Sequence, residues 1–202
     1  MGNKIKQQKK IQKFLYDECG EEEGNRLFMK QSTLLAELIE QMGDKTKSQQ
    51  KVLDQTIDPR IALYKVFLNE GFSREKANEY MKKYMLTIIA AEKHSAMLKM
   101  EMFPGFYYLY SSVFLKIMRT TDLQISTQEK GNDYYDVTIT KCLWHTACVE
   151  SGCGELCRLF CDVDDITYGN LEKIGFTRTQ TIGYGGECCD FHFNKKLSNI
   201  RK

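Results

Sequence analysis

The sequence predicts an α+β fold: a helical N-terminal part, residues 1–120, packed on a small antiparallel sheet within one domain of residues 1–202. Three observations predict it. Apolar residues recur at helical spacing from Ile5 to Met118. The period then drops to two, with Tyr135, Val137 and Ile139 alternating with Asp136, Thr138 and Thr140. Finally, two alternating segments, 176–182 and 187–193, flank Gly183-Tyr184-Gly185-Gly186, which marks a hairpin.

The elements follow in order. Ile5, Ile11, Phe14, Leu15 and Cys19 predict a first amphipathic helix over 5–19, ended by Gly20, the acidic break Glu21, Glu22, Glu23, and Gly24. Leu27, Phe28, Leu34, Leu35, Leu38, Ile39 and Met42 predict a second over 25–42, with Gly43 at its C-terminal end. Residues 44–50 are polar and read as a loop or helix start. Asp58-Pro59 predicts a start with Asp as N-cap and Pro in the first turn. Ser73 caps a long helix that Pro104-Gly105 stops, and an aromatic-rich helix covers 106–118. Gly131-Asn132 is a turn before the strand centred on Val137, a short helix covers 155–161, and an acidic turn holds Asp162, Asp164 and Asp165.

Composition narrows the function. A formal charge of +2 gives no electrostatic case for nucleic acid or membrane. The N-terminal lysines, Lys4, Lys6, Lys9, Lys10 and Lys13, read as a solvated helix start, with an interaction arm as the alternative. No run of about 18 apolar residues is present to span a bilayer, and no apolar run after the lysines suggests a signal peptide. Met1-Gly2 opens like a myristoylation site, but Lys6 stands where that motif has Ser or Thr. The expectation is a cytoplasmic protein with reduced thiols, acting on a small molecule, with self-association left open.

Seven of the eight cysteines lie between 142 and 193, with Trp144, His145 and His192. Cys153, Cys157 and Cys161 would share one face of a helix. Eight helical residues rise about 12 Å, whereas thiolates on one zinc stand about 4–5 Å apart, so all three cannot serve one ion. No CxxC pair is present, so no zinc ribbon or thioredoxin-type centre is signalled. Buried free thiols are the default reading. On the last strand Cys189, Phe191 and Phe193 point inward, while Cys188, Asp190 and His192 point outward, to solvent or a site. His145, just after the first strand, is either a general base or a hydrogen-bonded surface group.

The runs CLWHTACVESGCGELCRLFCDVDDITYGNL and GFTRTQTIGYGGECCDFHF resemble the L-2-amino-thiazoline-4-carboxylic acid hydrolase family, most of whose members are bacterial. The resemblance is clearest over 133–193 and looser at NEGFSREKANEYM. It is carried by Cys142, the Cys161-Asp162-Val163-Asp164 step, Arg178-Thr179, Gly185-Gly186 and Cys189-Asp190-Phe191; Cys148, Cys153, Cys157 and Cys188 are less characteristic. The last segment also resembles, distantly, the Gly…Cys-x-Phe ending of 4-vinyl reductase-type ligand-binding domains.

The resemblance implies a hydrolase that adds water at an amidine-like carbon and opens a five-membered ring. That reaction asks for an acid or base, a nucleophile or activated water, and a cation for the substrate carboxylate. The candidates are Asp164, Asp190 and His145 as acid or base, Cys161 and Cys189 as nucleophiles, and Arg178 as clamp, with Thr179, Gly185 and Gly186 around the substrate. No cofactor is expected; a metal would take Cys142, Cys161 and Cys189. The competing reading is a non-catalytic sensor whose pocket is walled by Tyr107, Tyr108 and Phe114. A site uniting Asp164, Cys161 and Cys189 with exposed polar atoms favours the enzyme, and Asp164→Asn and Cys189→Ser should then abolish turnover. A closed apolar cavity with the thiols packed away favours the sensor.

Overall fold

The computed structural model describes residues 2–196, with side chains from residue 6 onward. Met1 and the side chains of Lys4 and Ile5 named above lie outside the described residues. Helices precede a small four-stranded antiparallel sheet, an α+β arrangement. The chain divides into two compact units, Met1–Tyr84 with Ala147–Leu156, and Met85–Thr146 with Cys157–Lys202.

The first unit is built on helices α1 (Gly2–Cys19), α2 (Glu21–Glu40), α3 (Lys47–Val52), α4 (Asp58–Asn69) and α5 (Arg74–Lys82). Glu21, Glu22 and Glu23 are the first turn of α2 and not a break, a placement the helix dipole favours. A Cβ on Gly24 would lie 2.7 Å from the Leu15 carbonyl oxygen, so α1 and α2 approach where only glycine fits. Thr46 begins α3 with a capping box closed by Gln49, and Ser73 caps α5 through the Lys76 N–H at 3.2 Å. The expected cap at Asp58 is absent. Asp58 is helical and buried, because a π-helical turn, Leu53–Ile57, runs straight into α4. That turn accommodates Pro59, which lacks the N–H a continuous α-helix would use. Phe14, Leu27, Ile61, Phe67 and Met81 are among the buried core residues. Within the 147–156 segment a 3-10 turn, Gly154–Leu156, carries Glu155, which accepts from Tyr64 Oη at 2.8 Å and pairs with Arg74.

The second unit holds α6 (Ala91–Met100), α7 (Phe106–Thr120), α9 (Cys157–Tyr168) and a sheet of β1 (Gln124–Lys130), β2 (Tyr134–Cys142), β3 (Ile174–Thr177) and β4 (Cys189–Lys195) in the order β1-β2-β4-β3. Between β2 and α9 runs α8 (Leu143–Glu150). A π-helical stretch, Lys83–Ala90, leads from α5 into α6. Two elements were not expected. β1 is polar (QISTQEK), and α8 is too short to display a helical period. The helix expected over 155–161 is α9, which extends to Tyr168, so Asp162, Asp164 and Asp165 sit on a helix and not in a turn. Cys153 precedes the 3-10 turn; only Cys157 and Cys161 share α9. The expected strand over 176–182 ends at Thr177, and the β3–β4 connection is a loop with a 3-10 turn, Ile182–Tyr184.

One face of the sheet is the core of this unit. Tyr135, Phe193 and Phe176 lie in one row across β2, β4 and β3. Tyr135 stacks on Phe193 at 4.7 Å, and Phe193 meets Phe176 at 4.8 Å. Phe114 of α7 and Tyr168 of α9 each close on Phe193 at 5.1 Å. Val137, Ile139, Cys189 and Phe191 continue this face, as their alternation predicts. Tyr107 is buried and Phe114 packs against the core. Tyr108, expected beside them as a pocket wall, is exposed and lies under Lys195, which bonds its hydroxyl at 2.7 Å.

Candidate functional site

Four of the sequence-nominated residues, Cys161, Asp164, Arg178 and Cys189, meet where α9 faces the sheet core and the β3–β4 loop folds over it. On α9, Cys157, Cys161, Asp164 and Tyr168 recur every three or four residues and so share a face. The loop lies directly on its thiols. A Cβ on Gly183 would fall 2.8 Å from Cys161 Sγ and 3.2 Å from Cys157 Sγ, so only glycine lets the backbone pass. Thr181, buried beneath the loop, hydrogen-bonds Cys161 through its side chain and holds the Tyr184 N–H at 3.3 Å. Cys189 Sγ accepts from the Ile182 N–H at 3.4 Å. Cys142 ends β2, and its sulfur is reached by the backbone N–H groups of Trp144 and His145 at the start of α8.

The thiols of Cys142, Cys161 and Cys189 favour the neutral form. Cys161 lies far above the ordinary thiol range, first through its hydrogen bond with Cys157 and then through burial. Burial pushes Cys142 up to about 12, with Cys157 and Cys189 adding to the rise. Burial also raises Cys189, against the pull of the Ile182 N–H and the Arg178 charge. Among the described residues no three His, Cys, Asp or Glu side chains are grouped so that they could hold a metal ion.

Arg178 is the charged centre. Its side chain is only 9% exposed. Nη2 donates to the Cys161 carbonyl at 3.0 Å and to Asp165 Oδ2 at 2.5 Å. The guanidinium lies 5.9 and 5.8 Å from the ring centres of Phe176 and Phe191. Nη1 is buried and finds no acceptor among the described residues. Beside it, burial pushes the Asp164 carboxyl up to about 6, although Lys93 and Arg178 both favour its charged form. Tyr110 Oη donates to Tyr168 Oη at 2.7 Å; burial lifts Tyr110 to about 12 and Tyr168 well above its ordinary value, with Asp164 contributing to both.

Cys161, Asp164, Cys189 and Arg178 are thus brought together. Asp190 is not among them, because it alternates with Cys189 on β4 and projects from the other face. It accepts from the Thr179 and Gln180 N–H groups at 3.0 and 2.9 Å and from the Thr179 hydroxyl, so both Asp190 and Thr179 fasten the loop. Gly185 is left-handed at φ 88 and exposed, and a Cβ on Gly186 would lie 2.7 Å from Gln180 Oε1; both shape the loop's far turn. His145 contributes its backbone N–H to Cys142. His192, with Asp190 on the outer face, bonds Asp136 Oδ1 through Nδ1 at 2.6 Å beside an open groove of ≈ 490 Å³. Sequence reasoning missed Tyr110, Tyr168, Thr181 and Gly183. The i, i+4 step from Asp164 to Tyr168 would have flagged one of them once α9 was extended.

A family model described as L-2-amino-thiazoline-4-carboxylic acid hydrolase matches residues 46–193. Among solved structures the chain is similar to the Fe(II) unliganded H-NOX protein from K. algicida, at 12% identity over 97% of this chain and 98% of that chain, with a TM-score of 0.31. At that score the likeness carries no argument. No curated protein matches the chain.

Proposed function

Because this chain belongs to the L-2-amino-thiazoline-4-carboxylic acid hydrolase family, we propose that it hydrolyses a small cyclic amidine-type C–N bond in a substrate bearing a carboxylate. The observation that carries this reading is Arg178, a buried guanidinium with Nη1 unpaired, set beside a carboxyl group that titrates at about 6. The free Nη1–H donors suit a carboxylate oxygen, and the flanking Phe176 and Phe191 rings give the guanidinium an apolar setting. Asp164 is tuned for proton transfer near neutral pH.

In this reaction the Asp164 carboxylate takes a proton from water as the water oxygen bonds to the amidine carbon. The C=N π pair moves to the ring nitrogen, which receives that proton from Asp164; collapse of the C–OH to a carbonyl then breaks the ring C–N bond, and Asp164 relays the hydroxyl proton to the same nitrogen. The carbon becomes a carbamoyl carbonyl, and both water hydrogens end on the departing nitrogen. Cys161 and Cys189 stay protonated in their buried setting and are poor nucleophiles there, which favours activated water over a thioester-like adduct.

The test is turnover of L-2-amino-thiazoline-4-carboxylate, followed by carbamoyl-cysteine formation. Asp164→Asn should remove kcat, Arg178→Met should raise KM about 10- to 100-fold by removing a charge-assisted contact, and Cys189→Ser should retain turnover. Full activity in Asp164→Asn would refute the site. One observation favours the sensor alternative: Cys157 and Cys189 are packed away from solvent. Tight, Arg178-dependent calorimetric binding of the same compound without turnover would establish that reading instead.

A further inference from the structure

Cys148 and Cys153 take no part in the reaction proposed above, and both are fully buried. They stand at the two ends of the turn that closes α8. Gly152 is left-handed at φ 72, its N–H bonds the Val149 carbonyl at 2.9 Å, and the Cys153 N–H bonds the Cys148 carbonyl at 2.9 Å. This is a Schellman turn, whose geometry brings the side chains of those two end positions into contact. An apolar pair is usual there; here the pair is two thiols, and the Cys148 side chain hydrogen-bonds the Cys153 sulfur. The turn positions and this thiol hydrogen bond make the two sulfurs neighbours, the arrangement from which a disulfide can close.

The surroundings of this pair differ from those of the other hydrogen-bonded thiols, Cys157 and Cys161. Cys153 lies below the ordinary thiol range, first through the bond from Cys148, with Lys65 and Arg74 assisting against burial and Glu155. Cys161 is displaced in the opposite direction. A sulfur whose charged form is favoured, with a second thiol in contact, pairs a reactive thiol with its own resolving partner once the turn opens to admit an oxidant.

We propose that Cys148 and Cys153 form a reversible dithiol–disulfide site whose co-substrate is a small peroxide. The Cys153 thiolate attacks one peroxide oxygen, the O–O bond breaks, and Cys153 becomes a sulfenic acid while hydroxide leaves. Cys148 sulfur then attacks the sulfenic sulfur, the S–O bond breaks, and a second hydroxide leaves. The two thiol protons neutralise both hydroxides, so two thiols and one hydrogen peroxide give one disulfide and two waters. The sulfurs lose two electrons and the peroxide gains them. Reduction by a dithiol reverses the change.

The experiment treats the reduced full-length protein with hydrogen peroxide, counts the remaining thiols and localises the oxidised pair by mass spectrometry after alkylation. Two of the eight thiols should be lost, mapped to Cys148 and Cys153, and recovered with dithiothreitol. Cys153→Ser should slow peroxide consumption about tenfold or more, as loss of the reactive thiolate requires. Cys148→Ser should leave a sulfenic acid that dimedone traps. Oxidation mapped first to Cys157, Cys161 or Cys189, or eight thiols surviving treatment, would overturn the proposal and leave the pair as packing of the turn. Because localisation uses the unaltered protein, the test stands even if a serine variant fails to fold.

Discussion

Asp164→Asn should make the protein more stable at neutral pH while removing its activity. The Asp164 carboxyl is raised from 3.8 to about 6, with burial as the main cause. A tenfold change in proton affinity is worth about 1.4 kcal/mol, so ionised Asp164 costs the fold about 3 kcal/mol, with the attraction of Lys93 and Arg178 already included in that net figure. The sign follows from linkage. Below pH 4 the group is protonated in both folded and unfolded chains and costs nothing. Between pH 4 and 6 the unfolded chain releases its proton first, so stability falls as pH rises; above 6 the full cost is present. Asparagine is neutral throughout. The variant should match the unaltered protein at pH 4 and exceed it by up to about 3 kcal/mol at pH 7.5, roughly 6–12 °C in melting temperature for a chain of this size. Thermal denaturation followed by circular dichroism at both pH values checks this. Asp58, raised by burial to about 6, titrates in the same range, so the difference between the two proteins is the quantity to read. A variant that is less stable at pH 7.5, or equally displaced at both pH values, would refute the argument that Asp164 is held charged against the fold.

Other perturbations test the surroundings. Tyr135 is fully buried and its hydroxyl has no hydrogen-bond partner among the described residues, so Tyr135→Phe should leave stability unchanged or raise it by about 1 kcal/mol in urea unfolding. Gly183→Ala drives a methyl group into the Cys157 and Cys161 sulfurs and should cost about 1–3 kcal/mol in the same assay. Asp190→Ala removes the acceptor that holds Thr179 and Gln180, so hydrogen exchange across 178–188 should accelerate at a cost of about 1–3 kcal/mol.

Much of the fold was legible because burial imposes periodicity. The core face of β2 and β4 was readable since Tyr135, Val137, Cys189, Phe191 and Phe193 must alternate with polar neighbours. β1 escaped because its residues are polar on both faces and its single Ile125 is exposed. α9 was cut short because Asp162 and Asp165 resemble turn residues, although on a helix they occupy the outward side. The site was half legible. Residue type nominated Arg178, Asp164 and the two thiols. Residue type also nominated Asp190, and strand alternation already placed it on the face opposite Cys189, where it fastens the loop. Tyr110 comes from a helix more than 50 residues before Tyr168, and no local pattern announces a contact of that span.

The unpaired Nη1 of Arg178 has a practical consequence for finding what this protein recognises. A buried cation lacking one acceptor leaves the free fold short of stabilisation that a well-matched anion restores. By mass action, a ligand at a hundredfold excess over its Kd adds about 2.7 kcal/mol to folding stability. For a chain of this length that is a rise of roughly 5–11 °C in melting temperature. A thermal-shift panel of small cyclic carboxylates, run beside their uncharged amides and repeated with Arg178→Met, would therefore rank substrate classes by chemistry without any knowledge of the reaction.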